Sequence, residues 1–230
     1  MSRRSPWEWA SLLLFPPRCA VCKEPVPAGP ALCEDCFSRL ASQPGEERRG
    51  GQSFSLCLSA FPYGEAVRPL FDRLKSGDEG AADQLAALMI ARWEARGLAV
   101  PDIAAFVPAK PGQYGQAEAL ARRIGPVLGA KVLDHFLTRH QNSRVQHTLP
   151  MEERLKNAAA SYACAEGRFV SGRVLLVDDI VTTGATLSAC AQLLLTAGAR
   201  EVLCLTAAAT PNAPDRLLSV RGIFLALHSP

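Results

Sequence analysis

One stretch limits what this chain can fold into more than any other: Val174-Leu175-Leu176-Val177-Asp178-Asp179-Ile180-Val181-Thr182-Thr183-Gly184-Ala185-Thr186. Four aliphatic residues without alternation suit a strand covered on both faces, which requires a parallel sheet between helices. Paired acids follow, then a small-polar turn, then a helix start. In an open parallel sheet ligands sit beyond the carboxyl ends of strands, where Asp178 and Asp179 fall. Thr182, Thr183, Gly184, Ala185 and Thr186 then supply hydroxyls and closely approaching backbone amides at a helix N-terminus, a place suited to phosphate. Acceptors for sugar hydroxyls thus stand beside donors for a phosphate monoester, and ribose 5-phosphate presents that pair of groups.

Other readings of the stretch fare worse. A receiver domain opens on a similar Leu-Val-Asp-Asp, but residues 180–230 are too few to complete one. No G-x-x-x-x-G-K-[ST] run and no dinucleotide-binding glycine fingerprint is present. A purely structural strand-to-helix turn has no need of two acids followed by Thr-Thr-Gly-x-Thr.

Around this stretch, apolar runs of strand length alternate with helical patterns, the signature of βαβ units. Strands are expected over Phe54 to Phe61, Ile103 to Val107, Val132 to Thr138, Val174 to Val177, Val202 to Ala207 and Ile223 to Leu227. Helices are expected over Val67 to Lys75, Ala82 to Arg96, Gln116 to Leu128, Glu152 to Ala159 and Thr186 to Ala197, the last stopped by Gly198. Ser42 to Gly51 has no apolar periodicity and reads as a linker. A division into residues 1–50 and 51–230 follows, and a chain of 230 residues has room for one ordinary core plus a small module.

The small module is defined by its thiols. Cys19-x-x-Cys22 and Cys33-x-x-Cys36 form two knuckles with the spacing of one tetrahedral Zn²⁺ site. Four thiolates leave no open position for water, so the zinc is structural, a staple for a module too small to fold alone. An iron–sulfur cluster or a redox-active dithiol is the other use of a four-cysteine set. Cys190 and Cys204 lie in apolar patterns and read as core. His135, His140, His147 and His228 show no metal or nucleophile spacing.

With 48% hydrophobic and 20% charged residues and a net charge of +3, the composition is that of a soluble globular protein and implies neither a disordered chain nor a strongly basic nucleic-acid binder. Arg3, Arg4, Arg18, Lys23, Arg39, Arg48 and Arg49 still give the amino-terminal part a basic bias. That bias either meets nucleic-acid phosphates or forms a solvated face. Arg3-Arg4 ahead of Trp9 to Phe15 superficially resembles a signal peptide, but Glu8 interrupts the run and no small-x-small cleavage site follows, so a short amphipathic helix is the plainer reading. No segment approaches the length of a membrane span, and a cytoplasmic protein is expected.

Leu14-Phe15-Pro16-Pro17-x-Cys19, Phe71-x-x-Leu74-Lys75, Val107-Pro108, Gln116-Ala117-Glu118-x-Leu120-Ala121, and Gln146 with Arg154 and Asn157 complete a pattern. Together with the cysteine knuckles and the Asp-Asp segment, it resembles the ComF family: type I phosphoribosyltransferase-like proteins with an amino-terminal Cys₄ zinc ribbon, associated with DNA uptake in competence. The resemblance implies an α/β fold with a mostly parallel central sheet preceded by a small zinc ribbon. It also implies a site for phosphoribosyl pyrophosphate (PRPP) with Mg²⁺, in which Asp178 and Asp179 hold the ribose hydroxyls and Thr182 to Thr186 wrap the 5-phosphate. Transfer of phosphoribose to an acceptor is the implied reaction; no catalytic residue and no acceptor are legible. Single-stranded DNA or competence proteins are the implied partners.

One departure is informative. Where the family carries a basic stretch ending in Arg-Gly-Phe-Asn-Gln, this chain runs Ala109-Lys110-Pro111-Gly112-Gln113-Tyr114-Gly115-Gln116. The arginine is absent, and Lys110, either a phosphate ligand or merely exposed, is a poorer match to phosphate oxygens than a guanidinium fork. This favours a second reading, a non-catalytic nucleotide- or single-stranded-DNA-handling protein built on the same fold. Arg154, on a helix beside Glu152 and Glu153, reads equally as a site residue or a solvated one.

Overall fold

The computed structural model describes residues 16–49, 53–140 and 161–211. The expected helix Glu152 to Ala159, the expected strand Ile223 to Leu227, Gln146, Arg154, Asn157 and the amphipathic segment before Pro16 lie outside the described residues.

Two stretches with the aliphatic content of buried strands form the centre of the main sheet. Strand β7 (Arg173–Val181) lies between β8 (Glu201–Ala209) and β3 (Ile103–Phe106), parallel to both, with Val177 opposite Leu205 on one side and Phe106 on the other. Val174 to Val177 are fully buried, as a strand covered on both faces must be. The sheet continues through β2 (Leu56–Pro62), parallel to β8, and β4 (Lys131–Val132), parallel to β3. Strand β1 (Glu46–Arg48) closes one edge antiparallel to β2, giving the order β1-β2-β8-β7-β3-β4.

The segment that reads as a linker from sequence therefore supplies an edge strand. Its polar residues, Glu46, Glu47 and Arg48, suit an edge that must not recruit another chain, and so it lacks apolar periodicity. The single strand expected over Val132 to Thr138 divides. Its start is β4, while β5 (Leu137–Arg139) pairs antiparallel with β6 (Tyr162–Cys164) in a separate two-stranded sheet. Asp134 and His135 separate them: His135 takes a left-handed φ of 49° and Asp134 pairs with Arg122.

The helices follow their apolar faces. Helix α1 (Glu34–Ala41) closes the cysteine module; α2 is Arg68–Lys75, α3 Glu79–Arg96, α4 Gln116–Val127 and α5 Ala185–Thr196. Helix α3 begins earlier than its apolar pattern because the Asp78 carboxylate caps it, accepting from the Ala81 amide at 2.9 Å.

One hydrophobic core runs through both parts of the chain, from Ala20, Val26, Leu32 and Leu40 in the cysteine module to Leu85, Met89 and the sheet. Polar contacts fix the docking. The Gln84 side chain on α3 accepts from the amides of Ala31 and Leu32 at 2.8 and 2.6 Å and donates to the Leu32 carbonyl. Gly80, also on α3, lies so close to this loop that a Cβ there would stand 1.7 Å from the Gly29 carbonyl oxygen. Gly80→Ala is therefore expected to destabilise the protein by about 1–3 kcal/mol, because backbone must move to admit the methyl. This outweighs the gain of up to about 1 kcal/mol that alanine brings to a helix. A lowered Tm in thermal unfolding supports the docking; an unchanged or raised Tm contradicts it.

Candidate functional site

Beyond Phe106 the chain turns into α4 and returns to β4, whereas beyond Val181 it turns into α5 and joins β8 on the opposite side. Neighbouring strands β3 and β7 thus send their connections in opposite directions, and a crevice opens at their carboxyl ends. Strand β7 also outruns its neighbour. Val107 N donates to the Val177 carbonyl at 3.0 Å, after which Asp178, Ile180 and Val181 pair with Thr206, Ala208 and Ala209 of β8.

A cleft of about 240 Å³ fills this crevice. Asp178, Asp179 and Thr186 line it from the β7 side, Val107 to Lys110 with Gln113 and Gln116 from the segment after β3, and Arg139 and Tyr162 from the two-stranded sheet. A smaller hollow of about 40 Å³, shaped by Ile180 to Leu187, shares Asp178 and Thr186 with it. Of the residues singled out from sequence for this site, Asp178, Asp179, Thr182, Thr183, Gly184, Ala185, Thr186 and Lys110 line one of two adjoining spaces, while Gln146, Arg154 and Asn157 lie outside the described residues.

The acids are partly buried. Burial and the adjacent Asp179 carboxylate hold Asp178 well above the usual aspartate range, and burial raises Asp179 as well. Their backbone neighbours orient them: Asp179 N donates to Asp178 Oδ1 at 3.0 Å and Ile180 N to Asp179 Oδ1 at 2.8 Å. Among the described residues neither acid has an ion-pair partner, an arrangement that favours a cation or a polyhydroxyl ligand over an empty site.

The turn that follows is built for an anion. Gly184, at the N-cap of α5, has a left-handed φ of 79°, which only glycine adopts at little cost. No side chain caps α5 and its first turn carries no acid, so its leading amides and the positive end of its dipole face outward. Thr182 and Thr183 are exposed. Thr183 Oγ1 accepts only a long bond, 3.4 Å, from Ala185 N.

Arg48 holds this turn, a role the sequence did not signal beyond placing it in a basic stretch. From β1 its guanidinium donates to the Thr182 carbonyl and, at 2.6 Å, to the Thr210 carbonyl, while its Nε donates to Glu46 at 2.6 Å. Part of the amino-terminal basic bias is spent in the same way: Arg18 donates to the Lys23 carbonyl, Lys23 to the Ala20 carbonyl and Arg39 to Cys36. Arg139 and Tyr162 were also missed. The first closes a short strand and the second opens one, and neither strand carries an apolar pattern long enough to mark them.

The second candidate is the thiol cluster. The Sγ atoms of Cys19, Cys22, Cys33 and Cys36 all lie within 4.8 Å of one another, and Cys22 and Cys33 are 3.6 Å apart. Four sulfurs at about 2.3 Å from one tetrahedral zinc stand roughly 3.8 Å apart, so the set fits that ion. Its electrostatics demand a cation too. Burial raises the Cys19 thiol, but amides of Cys33, Cys22 and Val21 outweigh that and bring it down to about 6. The Glu24 amide lowers Cys22, yet desolvation and the neighbouring thiols push it up to about 12. Four thiolates gathered this closely repel one another, and a bound dication offsets that repulsion. Arg39 donates to Cys36 Sγ at 2.9 Å, a supporting contact outside the thiolates themselves. Among the described residues no helix is long and apolar enough to cross a membrane.

These two features match known proteins in the same order along the chain. Residues 10–48 match the double zinc ribbon domain and residues 106–220 the phosphoribosyl transferase domain. The chain is 33% identical to Competence protein F of Haemophilus influenzae over 91 residues, 39% of this chain and 40% of that protein, so the match spans two fifths of that relative. It is 28% identical to DNA utilization protein YhgH of Escherichia coli over 202 residues, 80% of this chain and 86% of that one. A solved structure, TT1426 from Thermus thermophilus, superposes with a TM-score of 0.36 and 18% identity over 60% of this chain and 78% of the other. With the phosphoribosyl transferase match covering half of its length and a zinc ribbon ahead of it, the chain belongs to the phosphoribosyl transferase domain family, in the ComF arrangement of ribbon followed by transferase-type domain.

Proposed function

We propose that the cleft binds PRPP or another ligand carrying ribose 5-phosphate, and that the protein transfers phosphoribose from it to an acceptor. The observation that carries this is the meeting, at the carboxyl ends of β3 and β7, of two acids that have no ion-pair partner among the described residues with a start of α5 that no side chain caps. In this reading Asp178 and Asp179 accept from the ribose hydroxyls, Thr182 to Thr186 surround the 5-phosphate, and Lys110 meets phosphate oxygens. Arg48 keeps the turn in shape. Asp178 and Asp179 are also the carboxylates that would favour Mg²⁺ beside the ligand, where it would neutralise charge on the departing pyrophosphate. In the transfer the bond from the anomeric carbon to pyrophosphate breaks, pyrophosphate leaves with the electron pair, and the acceptor forms the new bond. Fixed acids and donors stabilise the charges that develop.

Zinc in the ribbon is structural in this reading: residues 1–50 form the ribbon module with its linker and residues 51–230 the domain that carries the cleft. A protein of this kind works in the cytoplasm, where thiolates stay reduced.

A second reading has its own support. The relatives' names speak of competence and DNA utilization, which favours a protein that keeps the pocket to handle nucleotides or single-stranded DNA without turnover. Incubation with PRPP, Mg²⁺ and a panel of bases, followed by assay of pyrophosphate, separates the two. Acceptor-dependent release is expected for a transferase, whereas tight binding of ribose 5-phosphate without release selects the second reading. Failure of ribose 5-phosphate to bind at all removes both.

A further inference from the structure

The cleft contains a cation that neither reading has used. Arg139, the last residue of β5, lines it together with Lys110, Asp178 and Asp179. Its guanidinium lies over the Tyr162 ring, 5.4 Å from the centroid, and its Nε is buried with no hydrogen-bond partner. Among the described residues it takes part in no ion pair. A buried guanidinium N–H left without an acceptor is costly, and beside an open cleft a ligand can supply that acceptor.

Charge decides which ligand. Asp178 and Asp179 leave the cleft acidic, and Lys110, exposed at its rim, is a single point charge. The segment after Pro108, where a guanidinium fork is expected for phosphate, has none. The Tyr162 ring under the Arg139 guanidinium restrains that side chain and leaves its planar fork available to two phosphate oxygens.

We infer that Arg139 is an anion-binding side chain of this cleft and, beside Lys110, takes the diphosphate end of the ligand, in place of the arginine absent between Pro108 and Gln116. The inference rests on the proposed PRPP site for the ligand's identity, but not for the presence of a diphosphate subsite.

The test uses inorganic pyrophosphate with Mg²⁺ as its probe, measured by calorimetry on the full chain loaded with zinc, and ribose 5-phosphate as the control. Arg139→Met, which retains a long side chain over Tyr162, is expected to weaken pyrophosphate binding about tenfold or more while changing ribose 5-phosphate affinity less than about twofold. Arg139→Lys keeps the charge and loses the fork, and is expected to fall between the two. Circular dichroism and Tm of the variants must match the parent, and because Met and Lys both keep the aliphatic stem, at least one is expected to fold. The inference is overturned if the parent protein does not bind pyrophosphate, if Arg139→Met binds it equally well, or if both probes weaken together. Should ribose 5-phosphate fail to bind while pyrophosphate depends on Arg139, the phosphoribosyl reading falls and the diphosphate subsite stands.

Discussion

Cys33→Ser is expected to release the zinc from the reduced protein and to lower its stability by several kcal/mol. The four sulfurs are already gathered within 4.8 Å, so removal of one leaves three thiolates whose repulsion the metal no longer fully offsets. Structural zinc in small modules is worth about 10–16 kcal/mol of apparent binding free energy, and most of that is folding free energy. Less is at stake here because the ribbon has support of its own. Gln84 holds Ala31 and Leu32, Arg73 donates to the Arg18 carbonyl at 3.2 Å, and Leu32 and Leu40 join the common core. The loss is therefore expected to be local loosening of the ribbon, not unfolding of the sheet. Elemental analysis should show about one zinc per parent chain and far less in the variant. A chelator should lower the Tm of the parent and leave the variant nearly unaffected. Retention of a full zinc complement by Cys33→Ser would overturn the assignment of Cys33 as a ligand.

The core and much of the candidate site were legible in the sequence for the same reason: both depend on residues close together in the chain. Val174 to Val177 announce a strand covered on both faces by being aliphatic without a break, and the acids and turn follow directly. What sequence could not show depends on distant pairing. Arg48 reaches the Thr182 carbonyl across 134 positions, and it does so from a strand whose polar residues look like a linker because, among the described residues, one side of it has no neighbour. Arg139 enters the cleft only because His135 and Asp134 break an apolar run and send its second half to a separate sheet with β6. Gly80 is an ordinary small residue in a helix until the ribbon loop is packed on it. In each case the deciding fact is a tertiary contact, which local periodicity does not encode.

Replacing Asp178 and Asp179 together by Asn is expected to weaken ribose 5-phosphate binding at least tenfold and, at neutral pH, to raise the Tm. The first effect follows from chemistry: each carboxylate offers charge-assisted acceptors, and hydrogen bonds to charged groups are worth about 1.5–3 kcal/mol each. The second follows from the direction of the pKa shifts. Both acids are raised in the folded protein, Asp178 by burial and by Asp179, and Asp179 by burial. A carboxyl whose folded pKa exceeds its unfolded one favours the fold most below the unfolded value, and that contribution is lost as pH rises through the folded value. At pH 7 both acids are therefore a burden on stability, and Asn removes it while its Oδ1 keeps the bonds from the Asp179 and Ile180 amides, now 3.0 and 2.8 Å. The stabilisation should grow as pH rises from the ordinary aspartate range toward neutrality and vanish in acid, which thermal unfolding across that window measures. A site kept for ligand binding at the expense of stability predicts the two effects together. Weaker binding with a lowered Tm would mean that the acids support the fold. Unaltered affinity for ribose 5-phosphate in the folded double variant would mean that the ligand sits elsewhere.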